Sequence, residues 1–338
     1  MHNRFLPKYV VAGQVRNEYI IDVYGKARHN QIGGSAIYAA ASLSHWDQPV
    51  GLLGVIGKDY PPEQLALLDA KQLDTRGIKT LPENLDLRAF YSYPAPDICM
   101  RENPVAAYAA NSLSFPKELI GYTDDLDETL SSKNTLISRL LLEEIPQDYL
   151  DAPAAHICPL DHTCQLQLTT LFQLGSVRTI TLQPHPASMV PENWGTITVL
   201  AKDIHTIITR EQDLRALFRQ RANDIWEMME DLCSYGCSHV VVKISSSGYY
   251  YYDSQLKSRY QIPDYPGKCT DPTGELDAFC GAYLAGYMTT YDGLHAAVLG
   301  SVAVSINRET SGPFSIEHSL PGLDQARFAM LEQMVTRY

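Results

Sequence analysis

Apolar residues fall along this chain in two recurring patterns. Short unbroken runs, such as 9–12 (YVVA) and 50–56 (VGLLGVI), read as strands buried on both faces. Other stretches carry apolar residues at helical spacing. Residues 36–43 read as a helix. So do residues 62–73, where Pro61 and Pro62 suit the first turn and Leu65, Leu67, Leu68 and Leu73 supply apolar positions. The same reading places strands at 155–158, 178–182, 196–200 and 239–244, and helices at 165–174, 212–218, 224–235 and 274–288. Such strands alternating with helices argue for βαβ units and a parallel sheet covered on both faces.

Two intervals break the alternation. Residues 88–112 carry Phe90, Tyr91 and Tyr93, then Pro94, Pro96 and Pro104, and read as short strands outside the main layer. Residues 14–30 have a similar look, with the stretch 19–23 followed by a turn at Gly25. The expectation is one α/β domain over 1–338, with a small β lid formed by these two insertions.

Composition narrows the function. The 338 residues hold 27 Lys+Arg against 39 Asp+Glu, a net charge of −12, which argues against a general binder of nucleic-acid backbones. A small anionic ligand needs only a local pocket and stays open. No run approaches the length needed to span a bilayer. Pro7 and Lys8 interrupt the first apolar run, so no secretion signal is expected. The 7 cysteines are odd in number and scattered. Cys233 and Cys237 resemble a metal pair only loosely, and no second pair completes it, so reduced thiols in the cytoplasm are expected.

Two stretches carry chemistry. In Gln31-Ile32-Gly33-Gly34-Ser35-Ala36, two glycines before a small-residue helix let the backbone approach a ligand, and the helix start offers N–H groups. The alternative reading is an ordinary turn with tight packing. In Asp271-Pro272-Thr273-Gly274-Glu275-Leu276-Asp277, Thr273 or Asp271 is a candidate cap for a helix whose first-turn N–H groups suit phosphate oxygens. Asp277, one turn in, is placed to accept a proton from a hydroxyl attacking that phosphate. The alternative here is a capped buried helix with acidic residues at its N-terminus.

Together and in this order, the two stretches resemble the signatures of the PfkB/ribokinase family of carbohydrate kinases. Residues 50–59 (VGLLGVIGKD), 181–186 (TLQPHP) and 239–253 (HVVVKISSSGYYYYD) add to the likeness, which covers most of the chain. The resemblance implies a three-layer ribokinase-like fold. It also implies phosphoryl transfer from Mg·ATP to a hydroxyl of a sugar or nucleoside-like molecule, with a monovalent cation near the site in family members. On this footing Asp277 is the general base, and Gly274, Glu275 and Leu276 form the anion hole. Lys243, Ser245, Gly248, Thr273, Asn307 and Gly312 lie beside the nucleotide. Glu18, Gly33, Gly34 and Ser35 meet the acceptor, and no metal ligand is assigned. The lid is an expected contact for a second copy of the chain.

Several residues depart from the family pattern. Leu276 replaces a glycine where backbone nears phosphate. Glu275 adds a negative charge beside a polyphosphate. At ~6 Å and an effective dielectric of ~20 such a pair costs roughly 2.8 kcal/mol, about a hundredfold in binding. Thr209-Arg210-Glu211-Gln212 stands where the family has a magnesium-organising Asn-x-x-Glu, and Arg210 is a candidate phosphate contact. Lys243 is a candidate partner for phosphate or for Glu275, and Gln183 replaces an aspartate. Collected in one chain, these changes support a second expectation: a non-catalytic binding or regulatory protein that keeps the kinase fold.

Overall fold

The computed structural model describes residues 6–124, 145–245 and 247–338. Its first seven strands are β1 (Tyr9–Ala12), β2 (Arg16–Ile21), β3 (Ala27–Gly33), β4 (Val50–Gly57), β5 (Asp74–Leu81), β6 (Arg88–Ala95) and β7 (Ile98–Met100). Then follow β8 (Ala154–Ile157), β9 (Thr179–Leu182), β10 (Thr206–Arg210), β11 (His239–Ile244), β12 (Gly248–Asp253), β13 (Ser258–Ile262) and β14 (Thr336–Arg337). The helices that matter below are α1 (Ser35–Trp46), α2 (Pro62–Ala70), α3 (Pro104–Ala110), α4 (Trp194–Asp203), α5 (Glu211–Leu217), α6 (Ile225–Ser234), α7 (Glu275–Thr290) and α8 (Gly293–Asn307).

Ten strands form one sheet in the order β14-β13-β12-β11-β10-β9-β8-β1-β4-β5. From β11 to β5 every pairing is parallel, and β12 to β14 extend it as antiparallel neighbours. Strand β1 sits inside the sheet with every residue buried, which is why it reads as an unbroken apolar run. Alternation along β11 shows the layers on either side. Val240 and Val242 join Met228, Met229 and Leu232 of α6, while Val241 joins the core around Phe279 of α7 and Val302 of α8. The four tyrosines of β12 split the same way. Tyr249 stacks on Phe279 at 4.1 Å, and Tyr250 stacks on Trp226 at 4.6 Å. They are core residues of two layers.

The second sheet has the order β3-β2-β6-β7 and comes from two separated segments. Its faces differ. Tyr19, Ile21 and Phe90 pack with Ala107 and Tyr108 of α3 in a small core of their own. The intervening positions, Arg16, Glu18, Tyr91 and Tyr93, look the other way into a cleft.

Three expectations change. Residues 196–200 are helical, inside α4, and the strand lies at β10. Ile197, Leu200 and Ala201 are buried whereas Val199 is 50% exposed, a helical period that a β-branched run concealed. Residues 104–110 form a helix, started by Asn103, whose Oδ1 accepts from the Ala106 N–H at 3.2 Å. The helix expected over 62–73 stops at Ala70. Among the described residues no helix is long and apolar enough to cross a membrane.

Candidate active site

The parallel strands deliver their C-terminal ends to one edge of the main sheet, the usual place for ligands in such sheets. Gln183 follows β9, Arg210 ends β10, and Lys243 and Ser245 lie at the end of β11. With the first turn of α7 and the concave face of the lid they enclose a cleft of about 790 Å³. It brings together Glu18, Gly34, Ser35, Lys243, Ser245, Thr273, Gly274, Glu275 and Asp277. Gly33, Gly248, Leu276, Asn307 and Gly312 do not line it.

On the side of the cleft formed by the second sheet, Glu18 is buried, with 1% exposure. Its Oε1 accepts from the Gly34 N–H at 2.8 Å and its Oε2 from the Tyr38 hydroxyl at 3.0 Å. Burial is the main influence on its carboxyl and pushes the pKa up to about 8, against the downward pull of these two hydrogen bonds. Gly34 has φ +93°, and a Cβ there would meet the Gln14 carbonyl oxygen at 2.4 Å. The glycine pair therefore lets the lid's carboxylate grip the turn before α1. The Ser35 hydroxyl accepts from the Gln14 N–H at 3.2 Å and braces the same turn.

On the opposite side, the expected caps are absent from α7. Its N-cap is Gly274 at φ +69°, with no side-chain hydrogen bond, and a Cβ there would lie 2.1 Å from the Tyr38 ring. Asp271 instead accepts from the Thr273 N–H at 2.9 Å and the Thr273 hydroxyl at 2.6 Å, and also from Ser311. Asn307 donates to the Thr273 carbonyl at 3.1 Å, so it shapes this loop from behind. The Glu275 N–H bonds to the Pro272 carbonyl and that of Ala278 to the Gly274 carbonyl. Those of Leu276 and Asp277 have no backbone partner among the described residues, that of Asp277 lying against its own carboxylate, at a helix start where the dipole favours negative charge.

Two of the departures have local explanations. The Leu276 side chain is 2% exposed and belongs to the core between α7 and α8, so it points away from the cleft. Glu275 accepts from Arg308 Nη2 at 2.6 Å, and Arg308 lies 3.7 Å from Asp264. Lys243 donates to both oxygens of Asp264 at 2.9 Å rather than to Glu275. The four groups form a chain of alternating charge, Glu275–Arg308–Asp264–Lys243, so the added carboxylate arrives already compensated.

Asp277 is half-buried, and its Oδ1 is enclosed without a hydrogen-bond partner. Desolvation raises its carboxyl to about 6, against the opposing pull of the Arg210 charge. Arg210 makes no ion pair among the described residues and faces the same cleft, while Glu211 beside it is held by Arg215 at 2.7 Å. Gln183 accepts a weak hydrogen bond from the Cys280 thiol at 3.5 Å. Cys233 and Cys237, with sulfurs 3.7 Å apart, are buried far along the chain from these elements, and no cluster of metal-ligating side chains occurs among the described residues.

Residues 7–318, nearly the whole chain, match the pfkB family of carbohydrate kinases. The chain belongs to that family. A cytidine kinase of Thermococcus kodakarensis is 26% identical over 279 residues, 82% of this chain and 87% of its own length. A Burkholderia thailandensis nucleoside kinase solved with inosine has a TM-score of 0.69 and 17% identity, covering 96% of this chain and 98% of its own. An E. coli protein described as a ribokinase II, solved with ATP and Mg²⁺, has a TM-score of 0.71 and 16% identity, covering 95% and 98%. At these identities the structures speak for the ribokinase-like fold.

Residue-by-residue reading of this PfkB-family sequence missed the partners more than the principals. Arg308, Asp264, Tyr38, Tyr91, Tyr93 and Arg16 went unassigned. Arg16 left a signal, since it stands two residues before Glu18 and so on the same face of a strand, as Tyr91 and Tyr93 do on theirs.

Proposed function

We propose that this chain transfers the γ-phosphoryl group of Mg·ATP to a hydroxyl of a sugar or nucleoside-like molecule, with Asp277 as general base. The observation that carries this reading is the placement of Asp277. A carboxylate with an enclosed, unpartnered oxygen and a pKa raised to about 6 stands at an uncapped helix start, in the cleft that also holds Glu18 and Gly34. A carboxylate so placed is ionised at neutral pH and has its lone pair available.

The residues present fit the cofactor. First-turn N–H groups of α7 would face the transferring phosphoryl oxygens, Arg210 would lie alongside, and Glu211 would hold Mg²⁺ through water. Bound Mg·ATP supplies the electrophilic phosphoryl group and neutralises its own developing charge. The chain's part is positioning. Asp277 orients the acceptor hydroxyl and would take its proton as the new P–O bond forms and the γ-phosphorus bond to the departing ADP oxygen breaks. The N–H groups of Leu276 and Asp277 stabilise charge on the moving group, and the lid excludes water. The family match and the relatives named for cytidine and inosine support a kinase of this class. Compensation of Glu275 and burial of Leu276 weigh against the non-catalytic reading.

The test is Mg·ATP-dependent ADP release with pooled sugars and nucleosides, comparing the wild-type chain with Asp277→Asn. The variant is expected to lose roughly 10²–10⁴ in kcat with its fold intact. An unchanged rate removes Asp277 from the role.

A further inference from the structure

Arg16 carries a charge that the transfer step does not use. It lies on the concave face of the lid, 3% exposed, and lines the cleft. Its Nε and Nη2 donate to Gln14 Oε1 at 3.1 and 2.9 Å. Among the described residues no carboxylate comes within ion-pair distance of it. A buried guanidinium matched only by a neutral amide is costly, and such a charge is ordinarily met by an anion. Its fork keeps further N–H donors beyond the two that Gln14 takes, in the geometry that suits carboxylate or phosphate.

The neighbours reinforce this. Arg101, just after β7, lines the same cleft and meets Asp124 at 3.3 Å. Glu18, next on that face, is held by Gly34 and Tyr38. Its raised pKa leaves it largely uncharged near neutral pH. Asp97 is the other carboxylate on this side of the cleft, and it is exposed. Among the described residues Arg101 is thus offset by Asp124 and Asp97 lies out in solvent, which leaves Arg16 as the buried charge here with no carboxylate against it.

We infer that the acceptor carries an oxyanion, a phosphate or a carboxylate, and that Arg16 selects it. This deepens the kinase reading and rests on it for the chemistry, whereas the binding is measurable without turnover. Calorimetric titrations of the full chain, with and without Mg²⁺ and a non-hydrolysable ATP analogue, would compare fructose 6-phosphate and ribose 5-phosphate with fructose and ribose. Gluconate serves as the carboxylate probe and cytidine as the neutral nucleoside. A charged probe should bind on the order of 10²-fold tighter than its neutral counterpart. Which charged probe does so separates phosphate from carboxylate. Arg16→Gln should bring the ratio to about threefold or less, and Arg16→Lys should retain part of it. Equal binding of charged and neutral probes, tightest binding of cytidine, no binding of any charged probe, or a ratio unaltered in Arg16→Gln each overturns the inference. If a charged sugar binds but yields no ADP with Mg·ATP, the kinase reading fails while the anion pocket stands.

Discussion

Around the first turn of α7, Glu275 and Lys243 each meet an opposite charge supplied by the chain itself. Across the cleft on the second sheet, the one partner of Arg16 among the described residues is the amide oxygen of Gln14. Among the described residues Glu275 and Lys243 are thus compensated before any ligand arrives, whereas Arg210 at the end of β10 and the buried Arg16 are not. The contrast separates two kinds of charge in one cleft. Glu275 is absorbed by Arg308 and Asp264. Arg16 is left waiting, and such a charge bears on which ligand the site takes.

The largest break in this comparison comes from Arg308→Ala. It leaves Glu275 uncompensated beside the phosphates, and the Coulomb cost of roughly 2.8 kcal/mol at ~6 Å then appears as a rise of about 10² in the Kd for Mg·ATP. Adding Glu275→Gln in that background should recover most of the loss, which calorimetry of the single and double variants would show. Equal affinity for wild type and Arg308→Ala would mean that the charge chain does not matter to the nucleotide.

Acidification is the next largest lever. Asp277 must be ionised to take a proton, so kcat/KM should fall about tenfold per pH unit below about 6 and level off above it. Stability runs the other way. A carboxyl raised from 3.8 to about 6 binds more protons folded than unfolded, so its stabilising contribution is present below pH 3.8 and lost as pH rises through about 6. Asp277→Asn should therefore unfold at a higher temperature than wild type at pH 8 and at a similar one at pH 4. A pH–rate profile flat from 5 to 8 would contradict this assignment.

The smallest effect sharpens the comparison through Leu276. Its side chain packs in the core. Leu276→Met should therefore cost under ~1.5 kcal/mol in chemical denaturation and shift Mg·ATP affinity by less than about threefold. A large affinity change would place that side chain at the phosphates after all.

What the sequence made legible was local. Gly33-Gly34 and Gly274 announce close backbone approach, and Asp277 is readable as a first-turn carboxylate because three residues fix its place on the helix. The parallel sheet was readable from runs such as 9–12, since strands covered on both faces leave no polar alternation to hide them. Partnerships between distant segments were not readable. Arg308 lies 33 residues from Glu275, and nothing in the spacing says that two helices bring them together. The misplaced strand at 196–200 has the same origin, because only the packing against the sheet decides which residues of a β-branched run are covered.

Titration of the purified chain with Mg·ATP by calorimetry decides whether the altered turn of α7 is a working phosphate site. Saturable binding in the micromolar range is expected, because Glu275 is compensated and Leu276 is turned into the core. Absence of binding, with and without a pooled set of sugars, sugar phosphates and nucleosides, would contradict it.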